Sequence, residues 1–243
     1  MKRNPIQTAL QLVYPPRCVS CGELVDDDFG LCGPCWRDTP IISGLCCDLC
    51  GVPLPGGTED EIAKCDACLK ITRPWSKGRS VLVYRDNARK LVLALKHGDR
   101  HDIVHLARPW MARIAKALVA PHTIIAPVPL HWTRLLKRRY NQSALLAQNL
   151  ACSVSCSYCP DLLVRKKHTA SLEGMGYDAR FQTLDGAISV HPRRKALLHQ
   201  RQVLLVDDVM TSGATLSACA QTCLASGAKD VRVLALARVA KDT

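Results

Sequence analysis

Val203-Leu-Leu-Val-Asp-Asp-Val-Met-Thr-Ser-Gly-Ala-Thr215 joins an apolar run, two carboxylates, a small-residue loop and a helix start in one stretch. Residues 203–206 read as a central parallel strand, because a strand covered on both faces is apolar throughout rather than alternating. Asp207 and Asp208 leave at its carboxyl end, where open α/β sheets take their ligands. Thr211, Ser212, Gly213, Ala214 and Thr215 come next. Their amides and hydroxyls, at the start of a helix beginning near Ala214, favour a phosphate dianion through unpaired N–H groups and the helix dipole. Two acids beside an anion site must contact a neutral part of the ligand. Vicinal sugar hydroxyls donating to Asp207 and Asp208 meet that need, as does a hydrated Mg²⁺ held by the pair.

Charge divides the chain unevenly. Of its 243 residues, the first 75 hold seven Lys+Arg against ten Asp+Glu, whereas the remainder holds 26 against 11 and so accounts for the net charge of +12. Nine of the 14 cysteines precede residue 69. These shifts predict two units, residues 1–75 and 76–243. The first 16 residues carry only a short helical pattern (Ile6, Ala9, Leu10, Val13) stopped by Pro15-Pro16, which is no signal peptide, and no run is long enough to span a bilayer. A cytoplasmic protein without membrane insertion is expected, and in a reducing compartment paired cysteines point to metal.

Four CxxC pairs occur in order: Cys18/Cys21, Cys32/Cys35, Cys47/Cys50 and Cys65/Cys68, with 10, 11 and 14 residues between successive pairs. A CxxC turn puts two thiolates on one side of a tight loop, and two such knuckles make the tetrahedral S₄ set that Zn²⁺ prefers. Sequential pairing predicts one site from the first two knuckles and another from the last two. One or two Zn²⁺ ions are expected, with iron–sulfur ligation and disulfides as the other chemistries. Cys46 is a spare beside Cys47. The segment has few large apolar residues, so metal would supply its folding energy. Cys219 and Cys223 read as small core residues, and Cys152, Cys156 and Cys159 as unrelated to a metal site.

Beyond Trp75, apolar runs alternate with helical patterns. Strands are expected at 80–84, 123–128, 162–164, 203–206 and 231–236, and helices at 86–96, 103–118, 141–152 and 214–226. That alternation predicts an α/β fold with a mostly parallel sheet flanked by helices. Residues 123–128 end in Pro127-Val-Pro129, followed by Arg134, Lys137, Arg138, Arg139, Tyr140, Asn141 and Gln142. A stiff strand end followed by cations suits a second anion, either pyrophosphate or a nucleic-acid backbone, and Asn141 can cap the next helix. Residues 134–201 carry 12 Lys+Arg against four Asp+Glu, enough for a basic face on single-stranded DNA. Residues 165–180 read as a mobile flap offering Lys167, His168 or Glu173 as an acid or base.

The stretch 203–215 resembles the phosphoribosyl diphosphate (PRPP) motif of type I phosphoribosyltransferases. Together with the cysteine knuckles, Leu95-Lys96-His97-Gly98-Asp99, Pro127-Val128-Pro129-Leu130 and Tyr140-Asn141-Gln142, the chain is similar to the ComF family, including ComFC and GntX-like proteins. It departs at Arg139, where that family usually has Gly. The resemblance implies a zinc-ribbon module before a phosphoribosyltransferase-like domain that binds PRPP with Mg²⁺, and a role in single-stranded DNA uptake alongside DNA-uptake proteins. Asp207 and Asp208 would be its catalytic or ribose-holding pair, and residues 211–215 its phosphate loop. The alternative is an active phosphoribosyltransferase with an unknown acceptor. The loop has Thr211 where relatives acting on 6-oxopurines carry an extra Asp.

Overall fold

The computed structural model describes residues 14–58, 61–166, 183 and 186–240. The amino-terminal helical pattern and the candidate flap residues Lys167, His168 and Glu173 lie outside them. Five strands form one sheet: β1 (Lys77–Val83), β2 (Ile124–Pro127), β3 (Ser157–Tyr158), β6 (Gln202–Met210) and β7 (Asp230–Arg238). Their order is β1-β7-β6-β2-β3, and every neighbouring pair is parallel.

The apolar runs explain why the sheet is central. Leu204, Val206, Leu234 and Leu236 belong to one buried cluster, and Val203, Leu205, Val231, Val233 and Ala235 to another, as the period of two demands of a strand covered on both sides. On the first face lie three helices: α3 (Asp86–His97), α4 (Asp102–Ala115) and α6 (Gln142–Val154). They bury Leu91, Leu95, Ile103, Met111, Leu146 and Leu150.

The second face is covered differently. There α7 (Ala214–Ala225) lays Leu216, Cys219, Ala220 and Cys223 on the strands, and the cysteines Cys47, Cys50 and Cys68 share the same cluster with Trp75. Cys219 and Cys223 are thus core residues, as their helical spacing implies. The expected strand near 162–164 forms as β4 (Leu163–Arg165), but outside the main sheet. It pairs antiparallel with β5 (Ile188–Val190), and Thr222 of α7 donates to the Ile188 carbonyl at 3.5 Å. A short 3₁₀ segment (Pro192–Leu198) leads from β5 into β6. Helix α5 (Trp132–Arg138) occupies part of the cationic stretch after β2, where no helix is expected from the sequence.

The cysteine-rich segment repeats one plan twice. In each half the first knuckle closes with an amide-to-carbonyl bond, Gly22 to Cys18 and Gly51 to Cys47, and the second knuckle opens a short helix, α1 (Gly33–Arg37) or α2 (Asp66–Lys70). The halves then attach to the sheet at different places. Residues 40–42 run along the free edge of β1, with the Ile42 amide on the Val81 carbonyl at 2.8 Å and the Val83 amide on the Pro40 carbonyl at 2.9 Å. The second half sits flat on β1. Gly51 has φ +69°, and a methyl there would strike the Ser80 amide, just as one on Gly78 would strike the Leu49 carbonyl. Among the described residues no helix is long and apolar enough to cross a membrane.

Candidate functional site

Strand order determines where the site lies. From β6 the chain moves to β7 on one side, and from β2 it moves to β3 on the other, so the crevice between β6 and β2 is a topological switch point. The carboxyl end of β6 supplies Asp207 and Asp208 there, while Pro127 and Val128 end β2 beside them. Strand β6 runs past the acids to Met210.

The two carboxylates have different surroundings. The Ser143 hydroxyl, at the start of α6, donates to Asp207 Oδ1 at 2.9 Å, as does the Asp208 amide at the same distance. Asp208 Oδ2 faces the Lys96 ammonium at 3.3 Å, and its Oδ1 accepts from the Val209 amide at 2.7 Å. Burial, then the charge of Asp208, pushes the Asp207 carboxyl up to about 7, while Ser143 and Lys96 pull the other way. Neither Lys96 nor Ser143 stands in the motif at 203–215. Lys96 ends an amphipathic helix, and the only sign of its role was the Leu95-Lys96-His97-Gly98-Asp99 run.

The loop after β6 is oriented from behind by two arginines distant in sequence. Arg238, at the end of β7, directs Nη1 to the carbonyls of Met210 (3.1 Å) and Thr211 (2.6 Å), and Arg73 directs Nη1 to the Ser212 carbonyl at 2.7 Å. A trans peptide places its N–H opposite its C=O. With those three carbonyls turned toward the arginines, the amides of Thr211, Ser212 and Gly213 face the other way. Gly213 caps α7 at φ +80°, and the Ser212 hydroxyl accepts from the Ala214 amide at 3.3 Å. The helix therefore begins without a carboxylate cap that would repel an anion.

The second cationic stretch is more structural than its composition implied. Tyr140 donates to the Leu95 carbonyl (2.5 Å), Gln142 Nε2 to the Lys96 carbonyl (3.3 Å) and Asn141 Nδ2 to the Val128 carbonyl (3.0 Å). Asn141 also caps α6, its Oδ1 accepting from the Ser143 amide at 3.0 Å. These residues fasten the end of α3, which carries Lys96, to the helix that carries Ser143. Arg138 donates to Gln142 at 3.3 Å, and Arg139 is an exposed left-handed cap ending α5. Two other guanidiniums are felt close by. Burial and then the charge of Arg134 lower Arg165, and Asp207 acts on Arg165 in the opposite sense.

The cysteines form two groups, Cys18, Cys21, Cys32, Cys35 and Cys47, Cys50, Cys65, Cys68, each with its sulfurs within 4.8 Å of one another. The Cys21–Cys32 and Cys50–Cys65 sulfurs are 3.5 and 3.6 Å apart, near the edge of about 3.8 Å for a tetrahedron of Zn–S bonds. Within a group the thiols titrate in opposite directions. For Cys18, burial raises the pKa, but the backbone bonds of Cys32, Cys21 and Ser20 outweigh it and bring the thiol down to about 6; burial and then Cys32 push Cys35 up to about 12. Four adjacent sulfurs cannot all ionise without a cation, and a soft tetrahedral S₄ set fits Zn²⁺. Cys47 belongs to the second group; Cys46 instead forms a bridge with Pro53.

A parallel sheet with acids and an amide-lined loop at its switch point, and two cysteine tetrads packed upon it, is a phosphoribosyltransferase-type fold joined to a double zinc ribbon. Family models agree: the double zinc ribbon domain matches residues 9–69 and the phosphoribosyl transferase domain residues 141–243. The tetrads and the ribbon match support structural Zn²⁺. The chain is 31% identical to DNA utilization protein YhgH of Shigella flexneri, over 93% of this chain and 99% of that protein. It is 31% identical to Competence protein F of Haemophilus influenzae, over 91% and 96%. The chain belongs to the ComF family. A hypoxanthine phosphoribosyltransferase structure from Staphylococcus aureus overlaps 58% of this chain and 68% of its own, with TM-score 0.34 and 12% identity.

Proposed function

We propose that this protein binds PRPP, or a related ribose 5-phosphate, together with Mg²⁺, and acts in the cytoplasm in the uptake or use of single-stranded DNA. In this reading residues 1–75 are the ribbon module and 76–243 the phosphoribosyltransferase-like domain. The carrying observation is the cluster at the switch point: Asp207 and Asp208, with Ser143 and Lys96, lie beside a loop whose carbonyls are tied back by arginines. Residues 211–215 would take the 5′-phosphate and the acids the ribose hydroxyls or the hydrated cation. Arg138 and Arg139, with Arg134 and Arg165, supply positive charge for the pyrophosphate end or a DNA backbone. The names of the relatives, Competence protein F and DNA utilization protein, support the link to DNA.

Binding and turnover make different demands on this site. If phosphoribosyl transfer occurs, the acids also face a developing oxocarbenium charge, and the cations neutralise departing pyrophosphate. Calorimetric titration of the full chain with PRPP and Mg²⁺, with and without single-stranded DNA, tests the shared part. Saturable Mg²⁺-dependent binding is expected, weakened at least tenfold by Asp207→Asn with Asp208→Asn; heat independent of both the cation and the acids would sink the reading. Pyrophosphate release with a panel of bases marks the enzyme alternative.

A further inference from the structure

Arg73 belongs to no motif. It follows Cys68 by five residues in the link between α2 and β1, and it is 7% exposed. Its Nη1 donates to the Ser212 carbonyl at 2.7 Å, and its guanidinium lies 5.3 Å from the centroid of the Trp75 ring. Trp75 in turn donates Nε1 to the carbonyl of Leu49, in the turn between Cys47 and Cys50, at 2.6 Å. A side chain on Gly213 would have its Cβ 2.8 Å from Arg73 Nη1 and 3.3 Å from the rim of Trp75.

A path thus runs from the second tetrad to the phosphate loop: from the Cys47–Cys50 turn to the Trp75 indole, from that ring to the Arg73 guanidinium over it, and from both to the Ser212–Gly213 peptide that turns the Gly213 amide outward. Without metal, four close sulfurs lose the ion that holds α2 and this turn together, and the platform under Arg73 goes with it.

We propose that Arg73 is a positioning residue coupling the second cysteine tetrad to the phosphate loop, so that metal retention at Cys47, Cys50, Cys65 and Cys68 and ribose-phosphate binding strengthen each other. The ligand half of this coupling rests on the function proposed above. Linkage makes it reciprocal: whatever factor the bound metal adds to ligand affinity, the ligand adds to metal affinity.

The test uses full-length, zinc-loaded protein and measures zinc transfer to a chromogenic chelator with and without PRPP and Mg²⁺. In the wild type, saturating PRPP should hold back one zinc class by roughly tenfold, within the usual range of coupling between sites. Arg73→Met keeps the apolar stem and should still bind zinc, yet lose that protection and bind PRPP roughly tenfold more weakly. Arg73→Lys, which retains a donor, should fall between. Hydrogen exchange at residues 211–214 without any ligand separates the two claims. Faster loop exchange on zinc removal, and in Arg73→Met, supports the coupling even if PRPP fails to bind. Loop exchange indifferent to both changes overturns it, whatever PRPP does.

Discussion

Asp207 shows how the acidic pair at the switch point is built at the expense of the fold. Its carboxyl is raised to about 7, first by burial and then by Asp208. The sign follows directly: between the unfolded value near 4 and about 7 the folded chain holds a proton that the unfolded chain has lost, so stability falls as pH rises through that window. Asp207→Asn removes the penalty. At pH 8 the variant should melt higher than the wild type, by about 1–2 kcal/mol or roughly 3–6 °C, with the gap narrowing at pH 5 and closing near pH 4. Thermal denaturation across this pH range checks this, and a lower melting point at pH 8 refutes it. The same variant should bind ribose phosphate more weakly, the usual opposition between stability and function at a charged site.

Helices and strands show what a linear reading of this chain can reach. The apolar run at 203–206 and the periodic patterns at 86–96 and 214–226 carry their own signal, because burial of a face is written into local spacing. Site members from elsewhere carry far less. Lys96 is marked only by the Leu95-Lys96-His97-Gly98-Asp99 run, Ser143 and Arg73 belong to no motif, and all three meet β6 or its loop only through the crossing order of the strands. Helix α5 had a signal that was missed: Trp132, Leu135 and Leu136 keep helical spacing, but their large side chains are exposed and the flanking prolines and cations read as loop. The pairing of β4 with β5 was also illegible, since an isolated three-residue strand does not specify its partner.

Asn87, at the start of α3, makes a prediction at this scale. It accepts from the Ser20 hydroxyl at 2.5 Å, beside the first knuckle, and donates to the Cys35 carbonyl at 3.2 Å and to Thr39 Oγ1 at 2.8 Å, beside the second. One buried side-chain amide thus ties both knuckles of the first tetrad to α3. Asn87→Ala removes all three bonds, leaving the Cys35 carbonyl only its bond from the Thr39 hydroxyl, and costs on the order of 1–3 kcal/mol. It should loosen one of the two zinc ions, as seen by native mass spectrometry under chelator competition, and spare the other. Equal loss of both ions would show that the ribbons are not separately anchored.

At the scale of the molecule, the acidic, cysteine-rich segment and the basic α/β segment share cores although their compositions differ. Val19 joins the helical face, where Arg100 also donates to its carbonyl at 2.6 Å, and the second tetrad joins the opposite face. The Arg79–Asp48 ion pair at 2.6 Å and the Gly78-to-Asp48 backbone bond add polar stitching. Composition distinguished the two segments because ribbon chemistry needs thiols and turns rather than large apolar side chains. It said nothing about their contact, because much of that contact runs through ribbon backbone carbonyls such as those of Pro40, Asp48 and Cys50, which sequence does not label.

The backbone bonds between residues 40–42 and β1 bear on how this protein avoids sticking to itself. A parallel sheet ends in a row of unsatisfied amides and carbonyls, and the seven-residue β1 is the longer of the two outer strands, the other having only two. The ribbon acts as a guard rail along it. Expressed alone, residues 76–243 should self-associate through the bared strand, with large species in light scattering and thioflavin-positive material on warming, where the full chain gives neither. Stripping zinc from the intact chain should move it toward the same fate, so metal starvation would endanger this protein's solubility as well as the ligand binding proposed above.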